Sequence, residues 1–138
     1  MPVVVDANLL VPLVSGDRRA ERISEQLRSW LDAGVALHAP QLALYETVNG
    51  WTRLVAAGRL PAERVADAWE QIASLPITYH PLTDGPRTVE IALSLERTTA
   101  YDAAYLMLAE QLDAELWTVD GKLYRNARSR GYRVRTID

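Results

Sequence analysis

The stretch that decides the fold is MPVVVDANLL, residues 1–10, in which an aspartate directly follows a run of three valines. Val3–Val5 is β-branched and uniformly apolar, as expected for a strand that is covered on both faces in a parallel sheet. A carboxylate at the end of such a strand must be solvated, paired or functional. Asp6 therefore raises the question of which distant polar groups the fold brings to it.

The rest of the chain alternates between short apolar strands and longer helical segments. Four further strands are predicted, at residues 36–38, 77–80, 116–119 and 132–137. Six helices are predicted, at residues 18–31, 41–57, 62–74, 88–95, 100–112 and 122–129. Glycine and proline residues separate these segments. Such alternation predicts the α/β class, with a mostly parallel sheet and helices on both of its faces.

Length and composition limit the possible kinds of protein. The 138 residues are 49% hydrophobic, which is enough for one core, so we expect a single domain over residues 1–138. The absence of cysteine excludes disulfides, cysteine zinc sites and a cysteine nucleophile, and it fits a cytoplasmic location. Asp6 interrupts the N-terminal apolar stretch, and no Lys or Arg precedes it, so neither a signal peptide nor a membrane helix is expected.

Charge is unevenly distributed along the chain. The formal net charge is −3, but residues 122–138 carry six basic side chains against one acid. This segment is either a phosphate-contacting surface or an ordinary solvated helix and strand, and charge alone does not decide between them.

Two acids follow predicted strands. In an open parallel sheet the functional crevice lies beyond the carboxyl ends of the strands, so Asp6 and Asp120, in LWTVDGKL, are expected to share it. Each also has an ordinary structural interpretation. Asp6 suits an Asx turn or a helix N-cap, and Asp120 before Gly121 suits a turn.

Two further acids lie in predicted helices. Glu46, in LALYETVNGW, lies opposite the apolar stripe of its helix together with Asn49 and Arg53, and this face is either solvated or part of a polar site. Asp102, in TTAYDAAYLMLAEQL, is on the first turn of a strongly apolar helix. Thr99 and Asp102 also match a capping box, which is the structural alternative for this acid.

Taken together, the motifs VVVDANLL, LYETVNGW, TTAYDAAYLMLAEQL and LWTVDGKL resemble the PIN-domain ribonucleases, particularly the VapC-type toxins of bacterial toxin–antitoxin systems. The resemblance runs the length of the chain and implies a three-layer α/β/α sandwich on a central parallel sheet. It places Asp6, Glu46, Asp102 and Asp120 at the family's acidic active-site positions. Asn8 and Thr118 match positions that often assist the site.

The resemblance also implies a reaction, hydrolysis of RNA by water with Mg²⁺ or Mn²⁺, leaving a 5′-phosphate and a 3′-hydroxyl. Hard cations select carboxylate oxygens, lower the pKa of bound water and neutralise phosphate charge. Carboxylates about 4 Å apart repel by about 4 kcal/mol at an effective dielectric of 20, so clustered acids must bind a cation or retain protons. We expect Asp6, Asp102 and Asp120 to be metal ligands and Glu46 to orient water or serve a second ion.

Partners follow mainly from the resemblance: an RNA substrate, a small cognate antitoxin and a second copy in a homodimer, without a membrane. The apolar residues Trp51, Leu54, Val55 and Trp69 are possible interface surface or core. Basic residues in two segments are candidate RNA contacts. They are Arg18, Arg19, Arg22, Lys122, Arg125 and Arg128.

Three other kinds of protein share parts of this pattern. A haloacid-dehalogenase-type phosphatase needs a second acid two residues after the first, where this chain has Asn8. A receiver domain needs a lysine after its last strand, and the only lysine here is Lys122. A non-catalytic PIN scaffold remains the alternative of a different class. His38 and His80 show no metal-ligand spacing and are expected to be structural.

Overall fold

The strand Val3–Val5 (β1) lies at the centre of a five-stranded sheet in the computed structural model, which describes residues 1–137. The strand order is β3-β2-β1-β4-β5, and every neighbouring pair is parallel. The other strands are β2 (Leu37–Pro40), β3 (Ile77–His80), β4 (Glu115–Thr118) and β5 (Val134–Thr136). All of β1 is buried, as expected for a strand covered on both faces. The predicted parallel α/β sheet is thus confirmed.

Helices connect the strands, as crossover connections between parallel strands require. They are α1 (Ala7–Leu10), α2 (Ala20–Asp32), α3 (Leu42–Ala56), α4 (Val65–Ser74), α5 (Gly85–Ser94), α6 (Tyr101–Leu112) and α7 (Gly121–Ser129). Short 3₁₀ helices at Val11–Val14 and Ala62–Arg64 precede α2 and α4. None of the helices within residues 1–137 is long and apolar enough to cross a bilayer.

One observed helix was not among those predicted, and two predicted helices begin three residues away from their predicted starts. Residues 7–14 were predicted to have no helix, yet α1 and a 3₁₀ turn form there because the Asp6 side chain caps the first turn. α5 begins at Gly85 rather than at residue 88, because Asp84 accepts a hydrogen bond from the Arg87 amide. The segment predicted as one helix from residue 62 is a 3₁₀ turn followed by α4.

Helix α6 packs across the middle of the sheet. It contacts β1, β2 and β4, and six of its residues, Ala103 and 105–109, are buried in the main core. A second cluster of buried side chains joins the N-terminal segment to α3 and α4 through Leu10, Trp51 and Ile72. The start of α6 and the middle of α3 are therefore held in fixed positions relative to the end of β1.

Gly50 lets α3 approach the N-terminal segment closely. A Cβ atom at this position would lie 2.7 Å from Cγ2 of Val11. Because Gly50 is one helical turn beyond Glu46, this close contact helps to set the position of Glu46 relative to the sheet.

Candidate active site

The candidate site lies at the carboxyl end of the sheet, where the strand order changes direction. β1 pairs with β2 on one side and β4 on the other, so the crevice expected at such a switch point opens beyond β1 and β4. Asp6 directly follows β1, and Asp120 comes two residues after β4. The shared crevice predicted for these two acids is consistent with this topology.

Asp6 is 8% exposed and is held by hydrogen bonds on both carboxylate oxygens. Its Oδ1 accepts from the Asn8 amide at 3.3 Å, which is the helix cap, and its Oδ2 accepts from the Thr118 hydroxyl at 3.0 Å. The N-cap interpretation is therefore correct, and Asp6 also lies in the polar network at the end of β4. Both roles belong to the same side chain.

Asn8 and Thr118, the two predicted supporting residues, connect the ends of β1 and β4. The side-chain Nδ2 of Asn8 donates to the Thr118 hydroxyl at 2.9 Å, and the side-chain Oδ1 of Asn8 accepts from the Val119 backbone amide at 3.1 Å. The Thr118 hydroxyl also accepts from the Asp120 amide at 3.0 Å. This network fixes Asp6 and Asp120 relative to each other.

Burial makes Asp6 an unusual acid. Desolvation is the largest cause of a pKa raised from 3.8 to about 7. The hydrogen bonds from Asn8 and Thr118 oppose this rise, and the charges of Glu46 and Asp102 add to it. Asp6 therefore changes its protonation near neutral pH. A bound cation would favour the charged form.

Asp120 caps α7. Its Oδ1 accepts from the amides of Lys122 at 2.9 Å and Leu123 at 3.1 Å, while Oδ2 has no hydrogen-bond partner within residues 1–137. The strand β4 ends at Thr118, so Asp120 belongs to the turn, as its structural interpretation predicted. One oxygen remains available for a ligand.

Asp102 is on the first turn of α6, but it forms no capping box. The N-cap is Ala100, without a side-chain hydrogen bond, and Thr99 lies one residue too early to cap. That structural alternative is wrong. Burial raises the pKa of Asp102 and the charge of Asp120 raises it further, whereas Arg97, whose guanidinium lies 3.8 Å away, lowers it.

Glu46 projects from α3 towards Tyr105 of α6. The Tyr105 hydroxyl donates a hydrogen bond of 2.5 Å to Oε1 of Glu46. Burial raises the pKa of Glu46, the Tyr105 hydrogen bond lowers it, and the charge of Asp102 raises it. The solvated-face alternative is therefore incorrect for Glu46, which is half-buried in a polar site.

The four acids influence one another electrostatically. The charges of Glu46 and Asp102 raise the pKa of Asp6. The charge of Asp102 raises the pKa of Glu46, and the charge of Asp120 raises the pKa of Asp102. Within residues 1–137, no three acidic or histidine side chains are close enough to form a closed cage around an ion. Mg²⁺ does not require one, because it usually retains several waters and binds one or two carboxylates plus substrate phosphates. Hard oxygen donors with raised pKa values fit such a hydrated cation.

The basic candidates lie at the start of α2 and along α7, with Arg128 in the last turn of α7. Arg18 and Arg19 precede α2 and Arg22 is on its first turn, with Arg19 paired to Asp17 at 3.3 Å. On α7, Arg128 donates to the Val134 carbonyl at 3.4 Å and lies over the Tyr124 ring.

The charge of the C-terminal segment is partly neutralised by local ion pairs. Three of its arginines pair with acids elsewhere on the surface: Arg130 with Glu96, Arg133 with Asp113 and Arg135 with Glu115. Lys122 and Arg125 are exposed at the start of α7, and the Arg125 guanidinium lies so close to Gly121 that an added Cβ would be 3.0 Å away. The excess of positive charge is therefore concentrated near Asp120.

Two site residues were missed from the sequence. Tyr105 had a local signal, because it lies three residues after Asp102, on the same face of an otherwise apolar helix. Arg97 had none, since it lies in the connection between α5 and α6. The histidines also meet unexpectedly: Nδ1 of His38 and Nε2 of His80 are 2.8 Å apart across β2 and β3.

Comparison with known proteins finds a matching family and related sequences. Residues 3–129 match the family described as the PIN domain. Over 125 residues, 88% of this chain and 87% of the relative, the sequence is 33% identical to VapC ribonuclease Mb0985 of Mycobacterium bovis. It is 30% identical over 128 residues to ribonuclease VapC3 of Pyrobaculum aerophilum, covering 89% and 92% of the two chains.

The fold also matches a solved structure. The crystal structure of PAE2754 from Pyrobaculum aerophilum aligns with a TM-score of 0.73 and 19% identity, over 99% of this chain and 84% of that chain. The likeness shows the same fold, a parallel sheet between layers of helices.

Proposed function

Because this chain belongs to the PIN-domain family, we propose that it is a divalent-metal-dependent endoribonuclease that acts as the toxin of a toxin–antitoxin pair. Relatives that match this chain over most of their length are named VapC ribonucleases, and this supports the activity. The observation that carries the proposal is the arrangement of acids at the carboxyl end of the sheet. Thr118 joins the Asp6 carboxylate to the Asp120 amide, and the Tyr105 hydroxyl holds the Glu46 carboxylate.

Asp6, Asp102 and Asp120 are the candidate ligands. Because no three acids of residues 1–137 are close enough to bind an ion together, one or two of these carboxylates would bind it directly and the rest through water. When bound, Mg²⁺ or Mn²⁺ supplies an activated water and neutralises charge on the phosphate. The protein contributes the alignment. Thr118 and Asn8 fix the Asp6 carboxylate, and the cap hydrogen bonds on Oδ1 of Asp120 leave its other oxygen towards solvent or ligand.

Glu46 is the group best suited to handle a proton. Its Oε1 accepts the Tyr105 hydroxyl, so Oε2 is the atom that orients water and accepts its proton. A pKa raised by burial brings this carboxylate closer to the operating pH, which favours general base catalysis. Arg97, beside Asp102, provides positive charge near the position of the phosphate.

A partner surface lies on the other side of α3. Residues of α3 and α4 line an open apolar groove of about 670 Å³, and Trp69 there is 43% exposed. We assign this groove to the apolar face of an antitoxin peptide, because exposed apolar grooves between helices suit such segments. Of the predicted interface residues, Trp51 is buried beneath the groove and Val55 lines it.

A cleavage assay tests the nuclease proposal. Wild type, Asp6→Asn and Asp102→Asn are purified in parallel and incubated with end-labelled single-stranded RNA in Mn²⁺, in Mg²⁺ and in EDTA. We expect metal-dependent cleavage by wild type and a loss of about a hundredfold or more in both variants. Asp67→Asn, which changes an exposed acid on α4, is the matched control and should cleave normally.

Equal cleavage by wild type and Asp6→Asn would identify the activity as a contaminant. Absence of cleavage together with specific RNA binding would favour the non-catalytic scaffold instead.

A further inference from the structure

Two exposed tyrosines flank the candidate active site. Tyr45 is 76% exposed and Tyr101 is 58% exposed. Each directly precedes one of the proposed catalytic acids, Glu46 and Asp102. Exposed aromatic rings at a polar site are unusual, because each leaves a large apolar surface in water without a compensating contact.

The two tyrosines line the same groove. This groove has a volume of about 360 Å³ and is open to solvent, and Glu46 is one of the residues that line it. Its α3 side is formed by one helical face, and Tyr101 at the start of α6 forms the other side. The α3 residues are Leu42, Tyr45, Glu46, Asn49 and Arg53.

Charge changes along the groove from negative to positive. Glu46 lies at the acidic site, and Arg53 lies seven residues further along α3, about 10 Å away along the helix axis. Arg53 makes no ion pair with any residue of the described part of the chain, 1–137. In contrast, several arginines elsewhere are paired with acids. A free cation at this distance from the acids suits a phosphate of a bound nucleic acid strand.

We propose that this groove is a nucleotide subsite, in which one unstacked base of single-stranded RNA packs against Tyr45 and Tyr101 beside the acidic site. The proposal rests on the proposed ribonuclease function and names its substrate as single-stranded. Arg53 contacts the phosphate of a neighbouring nucleotide. The Asn49 side chain, which can both donate and accept, faces the base edge.

Single-stranded RNA is the substrate that this arrangement favours. A base in a duplex is paired and stacked, so its faces are unavailable to protein side chains. A single-stranded base is free to stack on an aromatic ring, and such stacking is worth about 1–3 kcal/mol per base by alanine substitution. The tyrosines therefore act as positioning residues, which hold the strand so that the adjacent phosphate meets the acids.

RNA binding tests the subsite without depending on catalysis. Binding is measured by fluorescence anisotropy in Mg²⁺ with the Asp6→Asn protein, which keeps the RNA intact if the nuclease proposal is right. The probes are a labelled 12-nucleotide single-stranded RNA of mixed sequence and an abasic ribose-phosphate oligomer of the same length. The abasic oligomer carries the same backbone charge but no bases.

Loss of both rings should weaken binding of the base-containing RNA only. Adding Tyr45→Ala and Tyr101→Ala together should raise the Kd for RNA about tenfold or more and leave the Kd for the abasic oligomer unchanged. Tyr45→Phe with Tyr101→Phe retains the rings and should preserve binding. Arg53→Gln should instead weaken both probes and lower the salt slope by about one.

Trp69→Ala is the matched control, because it removes an exposed aromatic ring of α4 that lies in the apolar groove between α3 and α4, away from the tyrosines. It should change neither Kd. The subsite is contradicted if the double alanine variant binds RNA as well as the parent or weakens both probes equally. It is also contradicted if the protein sediments as a dimer and the double alanine variant sediments as a monomer, because the two rings would then be covered by a second copy of the chain.

Cleavage kinetics with the same tyrosine changes in the wild-type background separate the two proposals. Active wild type whose KM is unaffected by the alanine changes would refute the subsite and leave the nuclease in place. Ring-dependent RNA binding without any cleavage by wild type would refute the nuclease and leave the subsite in place.

Discussion

At the scale of single residues, the Thr118 hydroxyl is the group on which the site geometry most depends. It donates to Asp6 and accepts from the Asn8 side chain and the Asp120 amide, and it is fully buried. This one hydroxyl therefore links the end of β1 to the end of β4, which are far apart along the chain. Its removal should therefore affect both stability and activity.

Thr118→Val tests this role. Valine keeps the shape but removes one hydrogen-bond partner from the buried Asp6 carboxylate and from two partly buried groups, the Asn8 side chain and the Asp120 amide. This should lower the free energy of unfolding by about 1–3 kcal/mol. It also removes a hydrogen bond that lowers the pKa of Asp6, so the site should bind a cation less well at neutral pH. Urea unfolding and the RNA cleavage rate measure the two effects.

Thr118→Ser is the control for this change. It retains the hydroxyl and loses only a methyl group, worth about 1 kcal/mol, so cleavage should remain near wild type. A valine variant that cleaves RNA as fast as the serine variant would show that the hydroxyl does not organise the site.

At the level of single residues, the sequence predicts position best where an acid follows the end of a strand. Asp6 and Asp120 were expected in one crevice because both follow parallel strands, and the topology is consistent with that expectation. Asp102 and Glu46 needed the family resemblance, since helical periodicity cannot distinguish solvent from a polar site. Arg97 was not predictable, because its position depends on the path of a connecting loop.

At the scale of secondary-structure elements, the contact between α3 and the N-terminal 3₁₀ turn sets the distance between Glu46 and the sheet. The contact is close only because residue 50 is glycine. Gly50→Ala should lower the free energy of unfolding by about 1 kcal/mol, since overpacking outweighs the gain in helix propensity. Urea unfolding curves measure the change.

A double-mutant cycle separates the contact from general helix effects. Val11→Ala removes the methyl groups that an added Cβ would meet, so the double variant should be more stable than the sum of the single changes predicts. Strict additivity would show that α3 does not rely on this contact for its position.

Elements with strong periodicity or composition were predictable, and their ends were less so. Strands β1 and β3 were predicted with their observed bounds, 3–5 and 77–80, and the other three strands differed by one or two residues at their ends. Helix α1 was missed because its four residues are too few to show a helical period. Its formation depends on the Asp6 cap and on packing against α3, which are tertiary effects.

At the scale of the whole molecule, a cluster of buried acids makes stability depend on pH. The Asp6 pKa is about 7 in the folded protein against a usual value of 3.8, so the folded state binds more protons between these values. Stability should therefore be highest below about pH 4 for this group and fall as pH rises through 7, by on the order of 4 kcal/mol. The raised pKa values of Glu46 and Asp102 act in the same direction.

Urea unfolding in EDTA across pH 5–8 tests this dependence. Asp6→Asn cannot ionise, so it should flatten the decline and be more stable than wild type at pH 8. His38, whose pKa is lowered by burial and the neighbouring His80, contributes a slope of opposite sign that both proteins share. Identical pH profiles for the two proteins would show that ionisation of Asp6 does not lower the stability of the folded state.

The central claim, that four distant acids make one cation site, is tested most directly by thermal unfolding with increasing Mn²⁺. An ion that binds only the folded state raises Tm in proportion to the logarithm of its concentration above Kd. We predict a progressive rise in Tm for wild type at millimolar Mn²⁺, the same rise for the control Asp67→Asn, and a much smaller one for Asp102→Asn. No rise in wild type, or an equal rise in Asp102→Asn, would contradict the claim.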